Sequence, residues 1–283
     1  MIDIDDKVIK DISKGFQIPA KPEILTELND IIKSPEPDLN AIGELIAQDV
    51  ATSAAILKTI NSPFYGLARS ISDIRQAVMF LGLDGVQALV TAIQLRQAFD
   101  QSKCCISLER FWDSASEVAQ IATFIAQKFK SQVALETVYT LGLFQDCGIP
   151  ALATNYSDYK RILVESNKNY ELSPTELEEQ AYKTNHAVIG YYLATSWHLP
   201  KDICQLVLRS HDRQYLESEQ DERLQICYSA VKMAENIIST NKRFIASPDW
   251  PHIKHHVLEV VDIEEDEYQD IKDDVEELLE DWD

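Results

Sequence analysis

The chain has 283 residues, 45% of them hydrophobic, enough for one large helical core or two smaller ones and too many for global disorder. A formal net charge of −21 repels phosphate backbones and speaks against non-specific nucleic-acid binding. Five cysteines with no CxxC spacing read as reduced thiols, which excludes a disulfide scaffold and a cysteine-ligated zinc site.

The N-terminal MIDIDDKVIK lacks the basic and apolar regions of a signal peptide. No run approaches the roughly 20 apolar residues of a membrane span, so a cytoplasmic, membrane-free protein is expected. Helical spacing begins at Leu39, Ile42, Leu45 and Ile46, with Asp38 placed to cap it. Ile74, Ala77, Val78 and Leu81 continue it, and Ser72 is the expected cap. Gly82 suits the left-handed residue after that helix, and Asp84 restarts the chain. The stripe returns at Val86, Leu89, Val90 and Ile93 and again at Val118, Ile121, Ala122 and Ile125. Ser173-Pro174-Thr175-Glu176 is a capping box with proline in its first helical position. Nothing alternates with period two over a sustained stretch, so the fold class is all-α. Three parts are expected: an N-terminal helical part over 1–105, a helical bundle over 106–245 and an acidic extension over 246–283.

One loop stands apart, Asn61-Ser62-Pro63-Phe64-Tyr65-Gly66. Asn61 and Ser62 can end a helix, Pro63 forbids its continuation and Gly66 supplies a turn. Phe64 and Tyr65 would anchor the bend. A structural turn is the first expectation, and a ligand- or partner-contacting loop the second.

With Ile18-Pro19, Lys21-Pro22-Glu23, Gln48-Asp49 and Leu81-Gly82 in order around it, this loop resembles the signature of the HDOD family over about residues 16–240. The resemblance implies a multi-helix bundle related to the HD metal-dependent phosphohydrolases, with an N-terminal helical subdomain and a role in bacterial signal transduction. It also implies where a metal site would have stood. Phe111-Trp112-Asp113-Ser114 resembles the first metal-binding helix with Ser114 in the histidine position. Leu141-Gly142-Leu143-Phe144-Gln145-Asp146-Cys147-Gly148 resembles the His-Asp segment with Gln145 for histidine and Asp146 retained. Glu235 falls at the final aspartate. Neither a serine hydroxyl nor an amide carbonyl replaces imidazole for a transition metal, so no metal, cofactor or catalytic residue is expected. His186, His211 and Asp212 are candidates for lining the old cleft, and the two histidines could join Asp146 and Asp212 in a residual site. Against that stands the plainer expectation that they hydrogen-bond within the core.

The end of the chain adds two features. His252, His255 and His256 share neighbouring helix faces without a carboxylate among them, and read as a solvated helix start. Residues 262–283 hold 13 acids and one base. Tyr268, Ile271, Val275, Leu278 and Trp282 form an apolar stripe there that needs a surface, either the chain's own body or a partner.

These features point to a non-catalytic signalling module, a pseudoenzyme working through a protein partner. Metal-dependent hydrolysis of a nucleotide or cyclic dinucleotide is one alternative. Nucleotide sensing without turnover is another, for which Lys58, Arg69 and Arg75 are scattered cations.

Overall fold

A computed structural model describes residues 16, 19–62, 65, 67–129 and 133–280. Among them there is no strand, and the chain is all-α. Pro63, Phe64 and Gly66 of the signature loop, and Trp282 of the tail, lie outside the described residues. The described residues form two compact units, Pro19–Ala98 and a second that includes those from 99 to 280, and the chain leaves the first unit at Ala98.

In the first unit α2 (Leu39–Ala47) packs against α1 (Glu23–Ile32) and α3 (Val50–Ile60), and all three pack against α4 (Ile74–Ala98). Leu25, Leu28, Ile42, Ile46, Ile56, Ile60, Val78 and Val86 are fully buried, the side of each helix that its apolar spacing marks out. Asp38 caps α2 by accepting from Asn40 N at 2.8 Å. Asp49 caps α3 through Ala51 N at 3.0 Å and Thr52 N at 3.2 Å. The expected cap Ser72 gives way to Asp73, whose carboxylate accepts from Arg75 N at 2.7 Å. A carboxylate accepts more strongly than a hydroxyl and also answers the positive helix start.

Gly82, at φ 67°, interrupts α4, so residues 74–81 and 83–98 are two helices meeting at a left-handed glycine. The full 25 residues of Ile74–Ala98 have the length and apolar composition of a membrane span, which corrects the expectation that no run comes near it. The break at Gly82 leaves neither piece with about 20 residues, and half of the most apolar window is buried. Asn61 ends α3 and closes the signature loop. Its Nδ2 donates to Leu57 O and Ile71 O, both at 2.8 Å, and its Oδ1 accepts from Ile71 N at 2.8 Å. Tyr65 meets Phe80 edge-on at 5.8 Å.

The second unit is built on α5 (Leu108–Ala126), α6 (Leu135–Phe144) and α13 (Glu222–Arg243), which pack against one another. Trp112, Ile121, Ile125, Val138, Phe144, Ala230, Met233 and Ile237 are buried along those helices. Around them run α7 (Ile149–Asn155), α8 (Tyr159–Ser166), α9 (Pro174–Tyr182), α10 (His186–Ser196), α11 (Lys201–Leu208) and α12 (Tyr215–Ser218). The capping box forms as expected at Ser173 and Glu176.

The acidic extension belongs to this unit. It folds as α14 (Trp250–Val260) and α15 (Glu265–Glu280), and α13 packs against both. Tyr268, Ile271, Val275 and Leu279 are buried, with Leu279 rather than Leu278 completing the stripe. Asn236 on α13 donates to the Tyr268 hydroxyl at 2.8 Å, and Lys128 pairs with Asp274 at 2.6 Å. The tail helix thus lies on its own body.

Candidate functional site

The second unit contains a cleft of about 510 Å³. Asp146 enters it from the turn after α6, His186 from the first position of α10 and His211 from the turn after α11. One glycine makes the first two meet. A Cβ on Gly148 would sit 2.0 Å from His186 O, so only glycine lets the Asp146 turn approach the start of α10.

Three atoms converge at the cleft floor. His186 Nε2 lies 3.4 Å and His211 Nε2 3.5 Å from Asp146 Oδ1. Both Asp146 Oδ1 and His186 Nε2 are buried without a hydrogen-bond partner. Each imidazole is oriented from behind by a carboxylate. His186 Nδ1 donates to Glu178 Oε2 at 2.7 Å, and His211 Nδ1 to Asp249 Oδ2 at 2.6 Å. Tyr159 donates its hydroxyl to Glu178, and Arg213 Nε holds Asp249 Oδ1 at 2.9 Å.

Charge follows from this wiring. Burial works against a charged His186, but Glu178 and Asp146 outweigh it and lift its pKa to about 10. Burial and the Lys232 ammonium oppose protonation of His211, yet Asp146 and Asp249 still raise it. Burial alone would raise Asp146; the two imidazoles instead hold it well below the ordinary carboxylate range.

The other side of the cleft is wired differently. Glu235 accepts from Lys232 Nζ at 2.7 Å and from Gln145 Nε2 at 2.7 Å. The Lys232 side chain is only 2% exposed. An ammonium and an amide therefore meet both Glu235 oxygens, and Ser114 stands in the cleft wall with only a hydroxyl to offer.

A divalent metal fits one of these two places. Asp146, His186 and His211 present a carboxylate oxygen and two imidazole nitrogens within 4.8 Å of one another. Their carboxylate-backed Nδ1 atoms match the arrangement that orients metal-bound histidines, and a metal there would take the place of the Nε2 protons. Ser114, Gln145 and Glu235 do not fit a metal, because the donors of Lys232 and Gln145 already face the carboxylate. Asp212 does not join the histidines. It accepts from Arg209 Nε at 2.7 Å, and Asp249 takes the place considered for it beside His211.

The structure brings the sequence-predicted residues Ser114, Gln145, Asp146, His186, His211 and Glu235 to one cleft and adds Glu178, Asp249, Lys232 and Tyr159, which sequence reasoning misses. Lys232 does leave a signal, a lone cation inside Ala230-Val231-Lys232-Met233-Ala234. Asp249 sits in a proline-flanked stretch that reads as a boundary. At the surface, His255, His256 and Glu259 come within metal-ligand distance of one another, so a carboxylate does lie beside those histidines, though His255 and Glu259 are exposed.

A family model described as the HDOD domain matches residues 18–213. An uncharacterized protein of Treponema pallidum (strain Nichols) is 27% identical over 205 residues, covering 71% of this chain and 39% of that protein. The chain thus corresponds to well under half the length of that relative. Among solved structures, an HDOD domain protein of unknown function from Geobacter sulfurreducens superposes with a TM-score of 0.70 at 22% identity, over 97% of this chain and 94% of that one. A candidate signal transduction protein from Marinobacter aquaeolei VT8 gives 0.71 at 15% identity, over 97% and 64%. A candidate phosphohydrolase from Shewanella amazonensis SB2B gives 0.65 at 19%, over 96% and 93%. At such identities these likenesses are likenesses of fold. Taken with the ordered motifs from Pro19 to Gly82 and a match spanning well over half the sequence, they lead to one conclusion: this chain belongs to the HDOD family.

Proposed function

We propose that the chain is a non-catalytic signalling or regulatory module of the cytoplasm that acts by binding, through a protein partner and through a ligand in the Asp146 cleft. The observation that carries this reading is the Lys232–Glu235–Gln145 arrangement. A carboxylate whose two oxygens already face an internal ammonium and an amide is not free to bind a catalytic metal, and displacing the ammonium would strand a buried charge. Ser114 supplies no replacement ligand. On the first unit Met79 and Phe80 are 66% and 47% exposed, apolar surface of the kind a protein partner covers.

Purified protein supplied with Mn²⁺, Fe²⁺ or Mg²⁺ and a panel of nucleotides and cyclic dinucleotides should show no turnover. Hydrolysis that disappears in Asp146→Ala would overturn the proposal. The phosphohydrolase alternative has one specific observation in its favour, the convergence of Asp146, His186 and His211 with their supporting carboxylates. It requires stoichiometric metal after supplementation, lost in His211→Ala, together with turnover. Affinity capture on the full chain, followed by Phe80→Asp, tests the partner-binding half.

A further inference from the structure

The cleft has a polar floor and a cationic mouth, and the mouth plays no part in the wiring of the two histidines. Arg110, Lys160, Lys242 and Arg243 all line it, and all four are exposed, whereas Gln145, Glu178 and His186 beneath them are buried. They come from three helices far apart in sequence: the first turn of α5, the first turn of α8 and the last turn of α13. Lys242 is answered by Glu117 at 2.6 Å. Arg243 donates to the neutral Asn167 at 2.7 Å. Arg110 and Lys160 form no ion pair or side-chain hydrogen bond with another described residue. Among the described residues, three positive charges lining one opening thus have no carboxylate partner, on a chain of net charge −21. Lys58, Arg69 and Arg75, the cations considered from sequence, all belong to the first unit.

The floor asks for something different. Asp146 Oδ1 is buried without a hydrogen bond, 3.4 Å from His186 Nε2 and 3.5 Å from His211 Nε2, whereas the oxygens of Glu235 and Glu178 on the same lining are already met by internal donors. Asp146 Oδ1 thus offers an acceptor to a hydroxyl or amino group at the floor, where each carboxylate already has an internal cation beside it, while the cations without a carboxylate partner stand at the mouth. We propose that the cleft takes a small phosphate monoester with its phosphate outward, held by Arg110, Lys160 and Arg243, and its hydroxyl- or amino-bearing end directed at Asp146. The volume of about 510 Å³ is that of a small-molecule site. This pose rests on the non-catalytic, ligand-binding reading of the Asp146 cleft. It keeps the ester bond away from Asp146 and the two histidines, so recognition proceeds without turnover.

The test is calorimetry on the full chain in EDTA, with the four common ribonucleoside 5′-monophosphates, ribose 5-phosphate, the parent nucleosides and inorganic phosphate as probes. At least one monophosphate should bind tenfold or more tightly than its nucleoside. The Arg110→Ala/Arg243→Ala variant should shrink that preference to threefold or less, with its unliganded melting temperature unchanged because both side chains are exposed. Asp146→Asn should weaken monophosphate and nucleoside alike and leave the preference in place. Absence of binding by every probe overturns the proposal. So does a preference that survives the arginine variant, or one that grows in Asp146→Asn, since growth would put the phosphate on the floor. Turnover on adding Mn²⁺ would sink the non-catalytic reading separately, while the EDTA arms decide the pose.

Discussion

Lys232 and Glu235, three residues apart on α13, form an ion pair at 2.7 Å in the interior of the second unit, with Lys232 2% exposed. Burial disfavours the Lys232 charge, yet Glu235 outweighs it and its pKa rises. Removing one partner of such a pair costs about 3–5 kcal/mol, because the other charge is left uncompensated. We expect Lys232→Met to lose about that much in urea unfolding. Lys232→Met/Glu235→Leu should recover most of it. A single variant as stable as the wild type would mean that Glu235 has another counter-charge.

Gly148 governs the approach of the Asp146 turn to α10. In Gly148→Ala the new methyl meets His186 O and Gly190 N, both backbone atoms that cannot swing aside. The expected loss is about 1–3 kcal/mol, the range for overpacking a tight contact. Any ligand or metal bound at Asp146 and His186 should weaken with it, by a larger factor than in a surface variant of equal stability.

His186 sets a pH dependence. Its pKa rises from an ordinary 6.5 to about 10 in the folded chain, so the folded state holds its proton more tightly than the unfolded state does. The stabilisation is complete below pH 6.5 and declines as the pH rises toward 10. Urea midpoints of the wild type should therefore fall across that interval, and His186→Gln should flatten the decline. An equal alkaline loss in both proteins would assign it to other groups.

The tail helix contributes to the fold. Four buried side chains, Tyr268, Ile271, Val275 and Leu279, come away if residues 262–283 are deleted. Full burial of each such side chain is worth about 1.5–3 kcal/mol before ordering costs are subtracted. A melting temperature lower by several degrees is expected, at about 2–4 °C per kcal/mol for a unit of this size. An unchanged value with lost partner capture would instead make α15 a recognition helix.

Much of this architecture is legible in the sequence because helix signals are local. Asp38, Gly82 and the Ser173 box act on backbone groups within four residues, so they can be read from the string itself. Ser72 fails against Asp73 because two adjacent capping residues compete and only the helix register decides. The cleft is legible where resemblance supplies an order of motifs. Its supporting residues are not, since Glu178 stands eight positions before His186 and Asp249 stands 38 after His211. No periodicity links residues at those distances; packing of α9, α10 and α14 alone joins them. Lys232 is legible in principle, as a cation at a core position, but resemblance marks its partner Glu235 as a lost metal ligand rather than as its counter-charge.

Asp249 carries a consequence for how the molecule can be divided. The family segment closes at residue 213, two residues beyond His211, whereas the carboxylate that orients His211 belongs to the stretch just before α14. Lys232 and Glu235 also lie past that limit. A recombinant fragment trimmed to the family boundary would keep His211 but not the group that aims it, and would lose one wall of the cleft.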